Sequence, residues 1–334
     1  MFIPYGKNIK CYDVNSLYPY VMKNNLYPVG PINEFFGDIT ILNDIYWIGE
    51  VDVSTKKDLI HPYLQIHYKT NNGLRTISPN GSWTMKLHSC EYENALNDYN
   101  ITIKNGYFFK KGDIFSKFVD DLYTLRSKYP KDDPMNFICK LIMNSLYGRF
   151  GMKPIINKQE FVSSDKFKEL SITNTITDFL DLDEYGIFVT YIDDKLINRI
   201  HKVSVGIASA VTAHARVFMS QFKNNDKFTL YYTDTDSIFI DKELPEELVG
   251  NKIGQFKLEY NLKEGVFLGP KIYAGITNDD IYISKVKGFK NANLIPFDDF
   301  KSLLRKDANP LILNHSKWFR SLVNSDITIK KNIS

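Results

Sequence analysis

Residues 228–241 read FTLYYTDTDSIFID, two apolar runs of strand character around the polar tip Asp234-Thr235-Asp236-Ser237. β-Branched and aromatic residues flanking a cluster of turn formers predict a β-hairpin. If strand alternation persists into the turn, aspartates two positions apart point their carboxylates the same way. Asp and Thr are also ordinary turn residues that hydrogen-bond their own backbone, and most such tips carry no further chemistry. The surrounding sequence has to decide between the two readings.

Far upstream, NIKCYDV (8–14) predicts a short strand, and NSLYPYVMKNN (15–25) follows with Pro19 placed to begin a helix. Asp13 therefore falls at a strand end and supplies a third carboxylate. Carboxylate oxygens are the hard ligands that Mg²⁺ prefers. Two such ions about 3.5–4 Å apart clamp the attacking and leaving oxygens of an in-line phosphoryl transfer. A second group lies in KLIMNSLYGRFG (140–151), where Lys140, Asn144, Tyr147 and Gly148 recur at i, i+4, i+7 and i+8 and share one helical face. That face is polar and aromatic. It reads either as a solvated face ending in a glycine cap, or as a surface on which Lys140 meets a triphosphate, Tyr147 a base, and Gly148 leaves room. Arg126, on the preceding helix, would add a second cation.

The organisation fits these two groups. Residues 26–110 alternate strand-like pieces (YWIGEVDVS, LQIHY, TMKLHS) with one helical stretch, CEYENALNDY, a mixed α/β insertion. Phe115, Phe118, Leu122 and Leu125 then predict a helix broken near Pro130, and Asp133-Pro134 suit the cap and first turn of a second helix reaching Phe150. Residues 155–200 are strand-rich. HKVSVGIASAVTAHARVFMSQF (201–222) predicts a long buried helix, and 242–334 mix short strands and helices with scattered lysines.

Composition sets the bounds. At 334 residues and 43% hydrophobic content the chain can bury a large core or several sub-domains. A net charge of +3 tolerates nucleic acid without demanding it, so a DNA-binding argument must be local. Three scattered cysteines, Cys11, Cys90 and Cys139, argue against a disulfide framework or zinc site and for a reducing compartment. No apolar run approaches the roughly 18 residues of a membrane span, and MFIPYGKNIK resembles neither a signal peptide nor an Arg- and Ser-rich transit peptide. Asn, Ile, Lys, Phe and Tyr are abundant while Ala, Gly and Pro are sparse, the codon bias of an AT-rich organelle, plasmid or viral genome.

DVNSLYP, KLIMNSLYG and YTDTDS, in this order, resemble the three polymerase motifs of family B DNA polymerases, and LGPKIYAG resembles that family's KxY motif. The separated aspartates of YTDTDS distinguish the chain from reverse transcriptases, which place two adjacent ones there. The long gap between the first two motifs, with SWTMKLHSCEYENALNDYNITIKNGYFF inside it, is similar to the terminal-protein-binding insertion of the protein-primed branch. The implied fold is α+β: a right-hand polymerase core with an antiparallel palm sheet, helical-hairpin fingers, two insertions and a small thumb. Its segments would be palm 1–25, first insertion 26–110, fingers 111–152, second insertion 153–200, palm 201–275 and thumb 276–334.

The resemblance implies that Asp13 and Asp236 bind two Mg²⁺ ions, with Mn²⁺ as a substitute. Asp234 would participate more weakly, and Val14 only through its carbonyl. Tyr18 would reject a ribose hydroxyl, Lys140 and Arg126 would bind triphosphate, and Asn144 and Tyr147 would position the incoming base beside Gly148. Lys271 and Tyr273 would grip the primer end, with Lys285, Lys287 and Gly288 as a thumb-side phosphate contact. The implied partners are template-primer DNA, deoxynucleoside triphosphates and a terminal protein, in a mitochondrial plasmid or organelle setting or, alternatively, a virus. Family members usually carry an N-terminal exonuclease. With a dozen residues before Asp13 and only Tyr5 and Gly6 left of the usual YxGG linker, the chain is expected to be a fragment, a half working with a separate exonuclease chain, or a degenerate copy. Its rivals are a relic that binds DNA without synthesis and a two-metal nuclease, which would explain neither the Lys140 face nor Tyr18.

Overall fold

Ile9 and Cys11 face one side of the strand Tyr5–Val14 and Tyr12 and Val14 the other, and all four are buried. A strand buried on both faces belongs inside a sheet. The computed structural model describes residues 3–71, 73–153, 157–193, 203–321 and 326–333. Two compact units emerge, residues 1–148 with 206–309 and residues 149–205 with 310–334.

In the larger unit a six-stranded antiparallel sheet runs in the order Leu230–Asp234, Ser237–Ile240, Tyr5–Val14, Phe256–Gly269, Ile272–Thr277, Tyr282–Val286. Ile9 and Cys11 pack into a cluster with Tyr232, Phe239, Leu262 and Phe267. On the opposite face Phe256 meets Phe218 and Phe222 at ring-centroid distances of 6.2 and 4.8 Å, which seats the helix Val205–Ser220 on the sheet. Ala210, Ala213 and Ala215 of that helix are buried, so its small residues do pack closely.

The sheet extends past the boundary expected from sequence. Residue pairs from Ile272↔Val286 to Ile276↔Tyr282 hydrogen-bond Tyr282–Val286 into the palm sheet. The division at 275/276 therefore cuts a ladder, and Lys285 stands on a palm edge strand with Lys287 in the turn behind it. In YISKV only Lys285 is exposed, and its Ser-Lys pair leaves too little apolar alternation to announce a sheet strand.

The insertion forms a separate four-stranded antiparallel sheet, Tyr27–Phe36, Tyr99–Gly112, Ile45–Thr55 and Ser82–His88, over a core that includes Trp47, Val51, Leu87 and Tyr99. Its helix, Ser89–Ala95, holds the buried Glu91, whose carboxylate takes Arg216 Nε at 2.7 Å and ties the insertion to the helix Val205–Ser220. The helical hairpin consists of Ser116–Arg126 and Pro134–Phe150. Asp133 caps the second helix by accepting from the Met135 N–H at 2.7 Å. Buried Asn136 closes the hairpin, accepting from Arg126 Nε and donating to the carbonyls of Arg126 and Tyr129.

In the smaller unit Lys158–Val162, Ile187–Ile192 and Thr175–Asp181 make a three-stranded sheet, covered by the helix Ser164–Thr173 through Leu170, Val189 and Tyr191. Residues 154–156 and 194–202 of the strand-rich stretch lie outside the described residues. Asn314–Ser321 pairs with Asp326–Ile333. Among the described residues no helix is long and apolar enough to cross a membrane.

Candidate active site

Asp234 pairs with Ser237 across the hairpin, so Thr235 and Asp236 form a two-residue turn. Thr235 has φ +45°, a left-handed conformation that costs a β-branched residue about 1–2 kcal/mol. Local hydrogen bonds hold it there: Thr235 Oγ1 to Asp234 Oδ1, Ser237 Oγ to the Asp234 carbonyl, and Thr233 Oγ1 to the Ser237 carbonyl. The turn brings Asp236 against the central strand, where the Val14 N–H donates to its carbonyl at 2.8 Å. Asp13 pairs with Ser237 in the same ladder, so both aspartates stand at one end of the sheet. Beyond Asp13 the chain turns through Asn15 and Ser16 into the helix Leu17–Asn24. Residues 250–255 clamp that turn: Asn15 Nδ2 donates to the Gly250 carbonyl, and Gly254, at φ +84°, lies so close to the Tyr20 ring that a Cβ would overlap it.

Two clefts meet at Asp13 and Asp236. One, of about 720 Å³, is walled on its far side by Arg126, Lys140, Asn144 and Tyr147 of the helical hairpin, with Tyr18 below. Tyr18 and Tyr147 stack at 4.3 Å with planes 26° apart. Gly148 lies within the helix, not at its cap, and a Cβ there would meet nothing within 4 Å. The other cleft, of about 790 Å³, is walled by Lys271, Tyr273, Lys285, Lys287 and Gly288. Apart from Gly148, which lines neither cleft, the sequence-predicted residues thus divide into two sets around the same pair of carboxylates.

Asp234 behaves differently from its neighbour. It borders the Lys271 cleft but not the Lys140 cleft, and Lys271 Nζ lies 2.6 Å from its Oδ2. Both aspartates border the Lys271 cleft, but only Asp236 reaches the Lys140 cleft as well. Lys271 is itself fixed by a bond from its N–H to the Tyr232 hydroxyl.

Sequence reasoning missed Lys257 and Glu259. Cys11 pairs with Tyr260 and Tyr12 with Leu258, so Glu259 is the extra residue of a β-bulge beside Asp13. It borders both clefts and is held by Lys257 Nζ at 2.6 Å. FKLEY (256–260) carries no local signal for it, because the bulge exists only in the register with Tyr5–Val14.

Burial, reinforced by the charges of Asp236 and then Glu259, pushes the Asp13 carboxyl up from the ordinary range to about 6, against the opposing pull of Lys257 and Lys140. Asp236 is also pushed up, first by burial and further by Asp234. Two half-buried carboxylates that resist ionisation side by side fit a divalent cation. Among the described residues no three His, Cys, Asp or Glu side chains gather as a metal cage. Asp13 and Asp236 would provide two hard oxygens and the Val14 carbonyl a third, with substrate phosphates and water completing the shell, as Mg²⁺ commonly requires.

A carboxyl whose folded pKa is raised stabilises the fold below its unfolded pKa, and that contribution is lost as pH rises through the folded value. Metal-free protein should therefore lose melting temperature between about pH 4 and pH 7 through Asp13. Asp13→Asn should melt roughly 2 °C or more above wild type at pH 7.5 with a flatter pH slope, and Mg²⁺ should raise the wild type more than the variant. Thermal melts across pH check this; equal slopes and equal Mg²⁺ responses would contradict it.

Residues 2–229 match the family described as DNA polymerase type B, organellar and viral. The chain belongs to that family. A probable DNA polymerase of Ascobolus immersus is 35% identical over 342 residues, covering 99% of this chain and 28% of its own length. One of Podospora anserina is 38% identical over 319 residues, covering 86% and 26%. This type B polymerase chain thus spans about a quarter of the length of those two relatives. Its fold is similar to that of Phi29 DNA polymerase complexed with primer-template DNA, with TM-score 0.72 at 21% identity over 99% of this chain and 58% of that one.

Proposed function

We propose that the chain carries the polymerising core of a DNA-directed DNA polymerase, adding deoxynucleotides to a primer 3′-hydroxyl with release of pyrophosphate. The observation that carries this reading is the meeting of two clefts at Asp13 and Asp236, each with cations on its outer wall. A reaction between two anionic substrates needs that arrangement. Bound divalent metal, Mg²⁺ or in its place Mn²⁺, supplies a lowered pKa at the primer hydroxyl and charge neutralisation at the triphosphate.

The protein's own groups orient the two substrates. Lys140 and Arg126 take the triphosphate as paired cations, and Asn144 and Tyr147 hold the base against the open space over Gly148. Lys271, Tyr273, Lys285 and Lys287 line the primer side, where Gly288, at φ +86° with open space within 4 Å of where a Cβ would stand, lets a phosphate approach the backbone. Asp234, paired with Lys271, positions that lysine and contributes little to metal.

Tyr18 lies under the nucleotide, where its ring, fixed by Tyr147, would exclude a 2′-hydroxyl. Tyr18→Ala should relax discrimination against ribonucleotides by roughly 10–100-fold. Competition between dNTP and rNTP in primer extension measures it, and unchanged selectivity removes Tyr18 as the gate.

Protein priming is the further part of the proposal. Residues 26–110 form a self-contained sheet and helix between the first two motifs, and a terminal protein docking there would offer a Ser, Thr or Tyr hydroxyl as first acceptor. Covalent transfer of labelled deoxynucleotide to a candidate terminal protein tests it; labelling of DNA primers alone argues against it. The family's description as organellar and viral supports a mitochondrial, plasmid-type setting, with a virus as the alternative.

A further inference from the structure

Thr212, Arg216, Met219 and Lys223 fall at i, i+4, i+7 and i+11, one stripe along the helix Val205–Ser220 and the turn that continues it. The stripe forms one wall of a third cleft, of about 450 Å³, closed by Thr235 at the hairpin tip, by Tyr18, and by Tyr63 and Gln65 of the insertion. This cleft shares Tyr18 with the Lys140 cleft and Asp234 and Thr235 with the Lys271 cleft, so it adjoins both.

Its two cations are in different situations. Arg216 is committed to the buried Glu91 at 2.7 Å. Lys223 has no acidic partner among the described residues, and burial alone, with no carboxylate to offset it, lowers its pKa. The carbonyl end of the helix supplies at most about half a negative charge to a cation placed there. A crowded, unpaired ammonium beside an open cleft lowers stability until an anion arrives. Among the other lining groups, exposed Gln65 offers an amide and half-buried Tyr18 an aromatic surface to a nucleotide unit, while Tyr63 is buried in the core of the insertion and only borders the cleft.

We propose that Lys223 docks one backbone phosphate of the DNA on which the chain acts, with the attached sugar or base lying along Gln65. The inference rests on the polymerase reading and adds to it a strand contact outside the two clefts at the carboxylates. The same charge could instead serve a free triphosphate, and the experiment separates the two sources.

Fluorescence anisotropy with a labelled primer-template, without nucleotide, is titrated against salt for wild type, Lys223→Gln and Lys223→Arg. The expected result for Lys223→Gln is roughly tenfold weaker binding near about 100 mM salt and a log–log salt slope smaller by about 0.9, with the dNTP KM unchanged. Lys223→Arg should bind like wild type. Melting temperature supplies a readout that a purely structural lysine would move the other way: Lys223→Gln should melt at or above wild type. Unchanged DNA affinity and slope, or a raised dNTP KM with duplex binding intact, would overturn the proposal. Absence of duplex binding by wild type would remove the polymerase reading itself, whereas a variant indistinguishable from a binding wild type removes only the Lys223 contact.

Discussion

Asp236→Asn is expected to slow deoxynucleotide addition by about a thousandfold or more while leaving the protein folded. The substitution keeps the shape of the side chain and removes its charge. The structural contribution of Asp236 runs through its backbone carbonyl, which accepts from the Val14 N–H, and an amide side chain leaves that bond intact. Because burial opposes ionisation at this position, the neutral side chain should not lower the melting temperature. A metal ion held by one carboxylate in place of two is weakly and wrongly placed, so the loss should appear in the rate of the chemical step at saturating DNA and nucleotide. Asp234→Asn should cost much less, roughly tenfold, because its carboxylate faces Lys271 and does not reach the Lys140 cleft. Single-turnover primer extension on both variants, with melts alongside, measures the contrast. A larger loss at Asp234 than at Asp236 would reverse the assignment.

Lys140→Ala is expected to lower kcat/KM for the incoming nucleotide by about a hundredfold, mostly as a higher KM, with primer-template affinity unchanged. Lys140 stands on the wall facing Asp13, and the Asp13 carboxyl registers its charge. Arg126, across the hairpin, already uses its Nε on Asn136, which leaves the terminal nitrogens for phosphate and makes the arginine part of the hairpin closure. Arg126→Ala should therefore lower both nucleotide affinity and hairpin stability, and Lys140→Ala only the former. Steady-state kinetics with varied dNTP, together with duplex binding without nucleotide, separates the two. Equal losses in DNA and dNTP affinity for Lys140→Ala would place it outside the triphosphate contact.

The features that the sequence made legible are those written in local patterns. The hairpin tip, the strand end at Asp13, the helical hairpin with its Asp133 cap and the shared face of Lys140, Asn144 and Tyr147 all follow from turn chemistry and helical spacing within about twenty residues. What stayed hidden depends on pairing between distant segments. The bulge that inserts Glu259 beside Asp13 exists only in the register of Tyr5–Val14 against Phe256–Gly269. Asp234 loses its equivalence with Asp236 because Lys271, far along the chain, reaches it. The six-stranded sheet gains Tyr282–Val286 by ladder hydrogen bonds that the Ser-Lys pair in YISKV does not advertise. Nothing local in the sequence distinguishes Arg216 from Lys223, and only the position of Glu91 in the insertion separates a paired charge from an unpaired one.

On the proposed reading, primer and nucleotide meet at Asp13 and Asp236. Primer extension by the purified 334-residue protein with dNTP and Mg²⁺, beside Asp13→Ala and Asp236→Asn, tests it most directly. The predicted result is template-directed extension by wild type, dependent on added Mg²⁺ and lost in both variants although they still bind primer-template. Failure of folded wild type to extend a primer that it binds, or extension by either variant at the wild-type rate, would contradict it.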